Sequence, residues 1–106
     1  MTTDLILVSI ACGTDAEAQA LARGLVEQRL AACCQTHPIQ STYRWQGAIE
    51  AAPEVMLTAK TVAAKFQVLE AYVRQHHSYD VPEIVATPVT CVSDAYAAWL
   101  RAVLDG

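Results

Sequence analysis

The segment Ile39–Lys60, IQSTYRWQGAIEAAPEVMLTAK, decides the fold. Its first part alternates, so Ile39, Ser41, Tyr43 and Trp45 share one face of an extended strand. WQGA then has the composition of a tight hairpin turn centred on Gln46-Gly47. The return strand runs towards Lys60, with Val55, Leu57 and Ala59 on one face and Met56, Thr58 and Lys60 on the other. Pro53 inside it predicts a bulge or an exposed edge, because proline has no N–H for a sheet ladder.

Working outward, Leu5–Cys12 (LILVSIAC) is an unbroken apolar run with β-branched residues, which predicts a strand buried on both faces. Thr14 is placed to cap the helix that follows, and Glu17 three positions on completes a capping box. Ala18, Leu21, Ala22 and Leu25 form that helix's apolar stripe. Cys33–Thr36 starts the second strand, which Pro38 is expected to interrupt before it resumes at Ile39. Beyond the hairpin, Thr61 is the expected cap of a second helix, with Val62, Phe66, Leu69 and Val73 at helical spacing. HHSYDVP connects this helix to a fourth strand, EIVATPVT, in which Pro88 again predicts an edge or bulge. Ser93 caps a last helix whose expected stripe is Tyr96, Trp99, Leu100 and Val103, with Tyr96 and Trp99 in the core.

The order is β-α-β-β-α-β-α in one domain over residues 1–106. Its first six elements are the split βαβ pattern of the ferredoxin-like α+β fold, a four-stranded antiparallel sheet with two helices on one face. The other face needs cover. Apolar residues make up 54% of the chain and charged residues 17%. Against averages of roughly 45–50% and about 25%, a small domain is left short of polar surface. Both observations predict self-association, with Tyr43, Arg44 and Trp45 of the hairpin as interface residues.

The formal charge is −4, and the seven basic residues are scattered without a run or aromatic interleaving. Neither nucleic acid nor a membrane surface is therefore expected as a partner. The Leu5–Cys12 run is too short to span a bilayer and lacks a basic start, so the expected compartment is the cytoplasm, with free thiols. The sequence holds no phosphate-binding glycine loop, nucleophile elbow or clustered-cysteine zinc pattern, and no serine sits in a nucleophile context. No enzymatic activity is expected.

The chemistry concentrates in His76–Glu83, HHSYDVPE. Neutral imidazoles and a carboxylate suit Cu(II), Zn(II) or Ni(II), and a thiol shifts the preference to softer ions. In a ferredoxin-like sheet the end of the first strand lies beside the start of the last. Cys12 and Glu83 are thus expected at one end of the sheet, with His76 or His77 just before it. The competing reading is that the two histidines serve the helix end, bonding its last carbonyls and opposing its dipole.

Several ordered stretches carry a resemblance. ARGLVEQRLAACC (Ala22–Cys34), STYRWQGAIE (Ser41–Glu50), LTAKT (Leu57–Thr61), HHSYDVPEI (His76–Ile84) and AYAAWL (Ala95–Leu100) together resemble the CutA family of divalent-cation tolerance proteins, nearly end to end. The resemblance implies a ferredoxin-like subunit in a homotrimer akin to the PII signal proteins. It also implies a divalent metal ion, with copper the expected one. The ligands implied are a cysteine near the first strand, a histidine of the H-x-Y segment and the glutamate after the proline. These map onto Cys12, His76 or His77, and Glu83, with Ile10 as the alternative occupant of the cysteine position. The chain departs from the family pattern at Cys34-Gln35 and at Ser93-Asp94, where a side-chain cap replaces a glycine. The alternative function is a PII-like scaffold that binds a small ligand between subunits.

Overall fold

In the computed structural model, which describes residues 3–106, the elements follow the expected order. They are β1 (Leu5–Cys12), α1 (Asp15–Glu27), β2 (Cys33–Trp45), β3 (Ala48–Val62), α2 (Phe66–His76), β4 (Ile84–Pro88) and α3 (Asp94–Asp105). The sheet order is β2-β3-β1-β4 with every pair antiparallel, as the ferredoxin-like pattern requires.

Alternation decides which side chains meet the helices. Val8, Ile10 and Cys12 of β1 and Leu57 and Ala59 of β3 lie on one face. They pack against Ala18, Leu21 and Leu25 of α1 and Leu69 and Val73 of α2. A second cluster, Leu5, Ala32, Leu100 and Leu104, holds α3 at the end of the sheet where β1 begins. Ser93 caps α3, accepting a hydrogen bond from the Tyr96 amide at 3.3 Å. Ser93→Ala is expected to lower stability by about 1 kcal/mol, read as a shifted urea midpoint with an unchanged slope. A change of a few tenths would mean that water replaces the cap.

The hairpin runs well past the rest of the sheet. β1 ends at Cys12, opposite Val55, whereas β2 and β3 stay paired out to Trp45 and Ala48. The result is a two-stranded arm, and the molecule measures 45 × 27 × 22 Å. At its tip Gln46 and Gly47 have φ of 50° and 82°. Positive φ at both central positions is the type I′ geometry that matches strand twist, and glycine adopts it without a Cβ clash. Pro53 lies in this arm, opposite Gln40 and beyond β1, so the exposed-edge expectation holds and the register shows no bulge.

Four expectations are corrected. Pro38 does not interrupt β2, which runs unbroken with Pro38 opposite Val55. β2 is an edge strand, where alternate amides face away from the partner and a missing N–H is tolerated. Thr61 caps nothing. It sits in β3 opposite Ile6, fully buried, and its hydroxyl has no hydrogen-bond partner. Pairing with β1 carries the strand through to Val62, and a 3-10 turn at Ala63–Lys65 precedes α2. The fourth strand is shorter than expected, ending at Pro88. Trp99 is 46% exposed rather than core, because α3 turns Ala97, Leu100 and Leu104 inward.

Candidate functional site

The end of the sheet where β1 stops collects most of the polar chemistry. Gly13 leads from β1 into α1, and Thr14 caps that helix by accepting from the Glu17 amide at 3.1 Å. The Glu17 side chain does not return to the cap residue as a standard capping box would. It reaches one residue further, and the Gly13 amide donates to Oε1 at 3.2 Å. Its other oxygen, Oε2, accepts from the Ser78 amide at 2.8 Å, 61 residues away in sequence. One carboxylate thus ties the start of α1 to the loop after α2. Burial pushes the Glu17 carboxyl up, but hydrogen bonds from Ser78 and Gly13 outweigh it, leaving it below the ordinary 4.5.

The two histidines have different environments. His76 ends α2, and its Nδ1 donates to the Tyr72 carbonyl at 2.8 Å while its ring stacks on Tyr72 with centroids 4.1 Å apart. The His77 side chain is fully buried. Its Nδ1 accepts from the Tyr79 amide at 3.0 Å, and its Nε2 meets the Ala11 carbonyl at 2.9 Å. An amide can only donate and a carbonyl can only accept. His77 is therefore the neutral tautomer with its proton on Nε2. The Glu17 carboxylate lies 3.9 Å from His77 Nδ1.

Cys12 completes this group. Its sulfur lies in the helix-side core, with the thiol directed at the Ile10 carbonyl at 3.8 Å. Burial, with the charges of Glu17 and Glu54, pushes the thiol up to about 11. One ligand atom each from Cys12, Glu17 and His77 lies within 4.8 Å of the others. The remaining thiols, Cys33, Cys34 and Cys91, are also free.

Glu83 stands apart from that group. Ile10 pairs with Ile84, and both pack on the helix side. By alternation Glu83 and Ala11 face the opposite side, so Cys12 and Glu83 share an end of the sheet but not a face. Ile10 is itself a fully buried core residue without a donor atom. On its own side Glu83 lines a groove of about 390 Å³ with Ala11, Tyr43, Trp45, Tyr79, Asp80 and Val81. Tyr79 anchors the groove wall, donating from its hydroxyl to Glu54 Oε2 at 2.8 Å. Burial and that bond push the Tyr79 phenol up to about 12. Gly13 makes room for the ring, since a Cβ there would come 3.0 Å from the Tyr79 oxygen.

Sequence reasoning missed Glu17, Glu54 and Tyr79. Glu17 had a signal, the capping-box spacing, but that spacing explains only one of its two oxygens. Nothing local marks Glu54 or Tyr79, because their partners come from other elements.

The structure thus defines a class: a small ferredoxin-like domain with a thiol, carboxylate and imidazole gathered at one sheet end and a long exposed arm. Residues 6–103 match the family model described as CutA1 divalent ion tolerance protein, and the chain belongs to that family. It is 41% identical over 96 residues to the divalent-cation tolerance protein CutA of Thermus thermophilus, covering 90% of this chain and 93% of that one. It is 40% identical over 92 residues to the protein CutA homolog of Xenopus laevis, covering 86% of this chain. It spans 61% of the length of that Xenopus protein. Among solved structures, the periplasmic divalent cation tolerance protein CutA of Archaeoglobus fulgidus superposes with a TM-score of 0.93 at 33% identity, covering 94% of this chain and 98% of that one. Among the described residues, no helix is long and apolar enough to cross a membrane.

Proposed function

We propose that this chain is a cytoplasmic, non-enzymatic homotrimer that binds a divalent metal ion, copper(II) or a similar borderline ion, as part of divalent-cation tolerance. The observation that carries the metal reading is the convergence of Cys12, Glu17 and His77 within 4.8 Å, three donors from three different segments. Thiolate, imidazole and carboxylate together suit copper or zinc better than magnesium or calcium. In this reading Glu17 takes the carboxylate place expected of Glu83, and His77 rather than His76 supplies the imidazole. The Cys12 thiol must lose its proton to ligate, so ion uptake releases a proton and strengthens as pH rises. His77 would have to give up the Tyr79 amide to offer Nδ1. The trimer reading is supported by the arm, where Tyr43, Trp45 and Ile49 are exposed, and by Val81 and Val85, which are also exposed.

Anaerobic calorimetric titration of the reduced protein with Cu(II) and with Zn(II) tests the site. The expected result is saturable binding at micromolar or tighter affinity, weakened about tenfold or more by Cys12→Ser, Glu17→Gln and His77→Gln. His76→Ala and Glu83→Gln should leave it unchanged. Loss confined to those last two variants would move the ion off the Cys12 group and overturn the donor assignment. Light scattering on the same sample should give the mass of three chains, and the mass of one would overturn the trimer.

A further inference from the structure

Glu17 and His77, two of the three proposed donors, are already engaged, and by consecutive amides of one short segment. The Ser78 amide donates to Glu17 Oε2 at 2.8 Å, and the Tyr79 amide donates to His77 Nδ1 at 3.0 Å. A third bond, from the Tyr79 hydroxyl to Glu54 Oε2 at 2.8 Å, ties the segment to the arm. Among the described residues, these three are the hydrogen bonds that hold Ser78–Val81, which forms neither helix nor strand. Two of the three end on the proposed ion site.

At His77 the engagement is exclusive. A neutral imidazole has one lone pair, on the nitrogen without the proton. The Ala11 carbonyl fixes the His77 proton on Nε2, so the lone pair is on Nδ1, and the Tyr79 amide holds it. Glu17 has lone pairs to spare, but the amide on it belongs to the residue next to Tyr79. The same segment controls access. The His77 side chain is fully buried, whereas Ser78 and Tyr79 are exposed. The Tyr79 ring also lies against the His77 ring, with centroids 4.8 Å apart.

We propose, resting on the ion site above, that Ser78–Tyr79 is a built-in competitor for the divalent ion, and that Tyr79 sets its strength. The two amides present partial positive charge to the carboxylate and the imidazole, a weaker version of what a cation presents. Tyr79 is a positioning residue. Its hydroxyl bond to Glu54 holds the segment closed, and it acts on the donors through its own amide and that of Ser78. A site that must open first shows an affinity reduced by its open fraction. Loosening the segment therefore tightens the ion. Loss of a merely structural contact would instead disorder the donors and weaken it, so the sign of the change separates the two roles.

Tyr79→Phe keeps the ring and the amide and removes the hydroxyl bond. The test titrates the reduced full chain, in the oligomeric state in which it is purified, with Zn(II), which has no redox chemistry with the thiol. Calorimetry is expected to show the variant binding zinc about fivefold more tightly than the parent. Amide hydrogen exchange, read by 15N NMR on the same samples, follows the segment directly. Without zinc, the Ser78 and Tyr79 amides should exchange about fivefold faster in Tyr79→Phe than in the parent. Saturating zinc should speed both amides about tenfold in the parent, while the Leu57 amide in the middle of the sheet stays unchanged.

Equal zinc affinity in parent and variant would overturn the competitor and leave the ion site standing. Weaker binding by Tyr79→Phe would also overturn it, with Tyr79 a structural prop. Zinc that saturates the parent while both amides stay protected would overturn it as well, because the donors would then ligate with the segment in place. No saturable binding by either protein would overturn the ion site itself, and the competitor with it.

Discussion

Replacing Glu17 with alanine is expected to lower the unfolding free energy by about 2–3 kcal/mol at neutral pH. The estimate starts from the Ser78 bond, a short charge-assisted contact on a side chain only 16% exposed, for which about 1.5–3 kcal/mol is typical. The Gly13 amide adds less, since it lies in an exposed loop and water can replace the carboxylate. Urea denaturation checks the value, with the midpoint falling and the slope unchanged. The effect should also depend on pH in a definite direction. The folded carboxyl lies below its ordinary 4.5, so its stabilising contribution is fully present above 4.5 and disappears as pH falls through the folded value. The gap between the parent protein and Glu17→Gln should therefore narrow on the acid side of 4.5. Comparing the two removes the acid dependence of the exposed Asp4–Arg101 pair, which both share. A gap that stays constant through that range would mean that Glu17 acts through shape alone.

Leu57→Ala should be the most damaging single truncation, at about 3 kcal/mol. Leu57 is fully buried near the middle of β3, opposite Ile10 on one side and Thr36 on the other. Both strands hold the backbone in place, so the sheet cannot close over the lost volume, and a cavity penalty adds to the lost transfer energy. For a domain whose whole stability is on the order of 5–15 kcal/mol, that is a large share. Chemical denaturation of the variant beside Ile10→Val, expected to lose about 1 kcal/mol, gives the comparison. A loss below about 1 kcal/mol for Leu57→Ala would show that this face repacks and is not the rigid support the site needs.

Much of the fold was legible because its rules are local. The unbroken apolar run became β1 with the expected bounds, Leu5–Cys12. Thr14 and Ser93 cap the helices they precede, since a cap needs only an oxygen and an amide two or three residues on. The turn at Gln46-Gly47 follows from the backbone freedom of glycine. Local rules failed where tertiary pairing competed with them. Thr61 has the character of a helix cap, but the β1 ladder claims it and leaves its hydroxyl buried. Trp99 was expected in the core from its place on the helix's apolar stripe, whereas helix rotation against Leu5 and Ala32 turns Ala97, Leu100 and Leu104 inward instead.

The site divides in the same way. That the chemistry would gather in His76–Glu83 and reach Cys12 was readable from topology, because strand order alone puts those ends together. Which donors meet was not. His77 finds the Ala11 carbonyl 66 residues away, and Glu17 finds Ser78 across 61. Cys12 and Glu83 are separated by a matter of parity, since a register shift of one residue would exchange their faces. By itself the sequence determined the elements, their order and the end of the sheet where donors collect, because periodicity, caps and turns act within a few residues. Only the tertiary structure decided which face each donor takes and which lone pairs are already engaged, because register and burial are set by partners far along the chain.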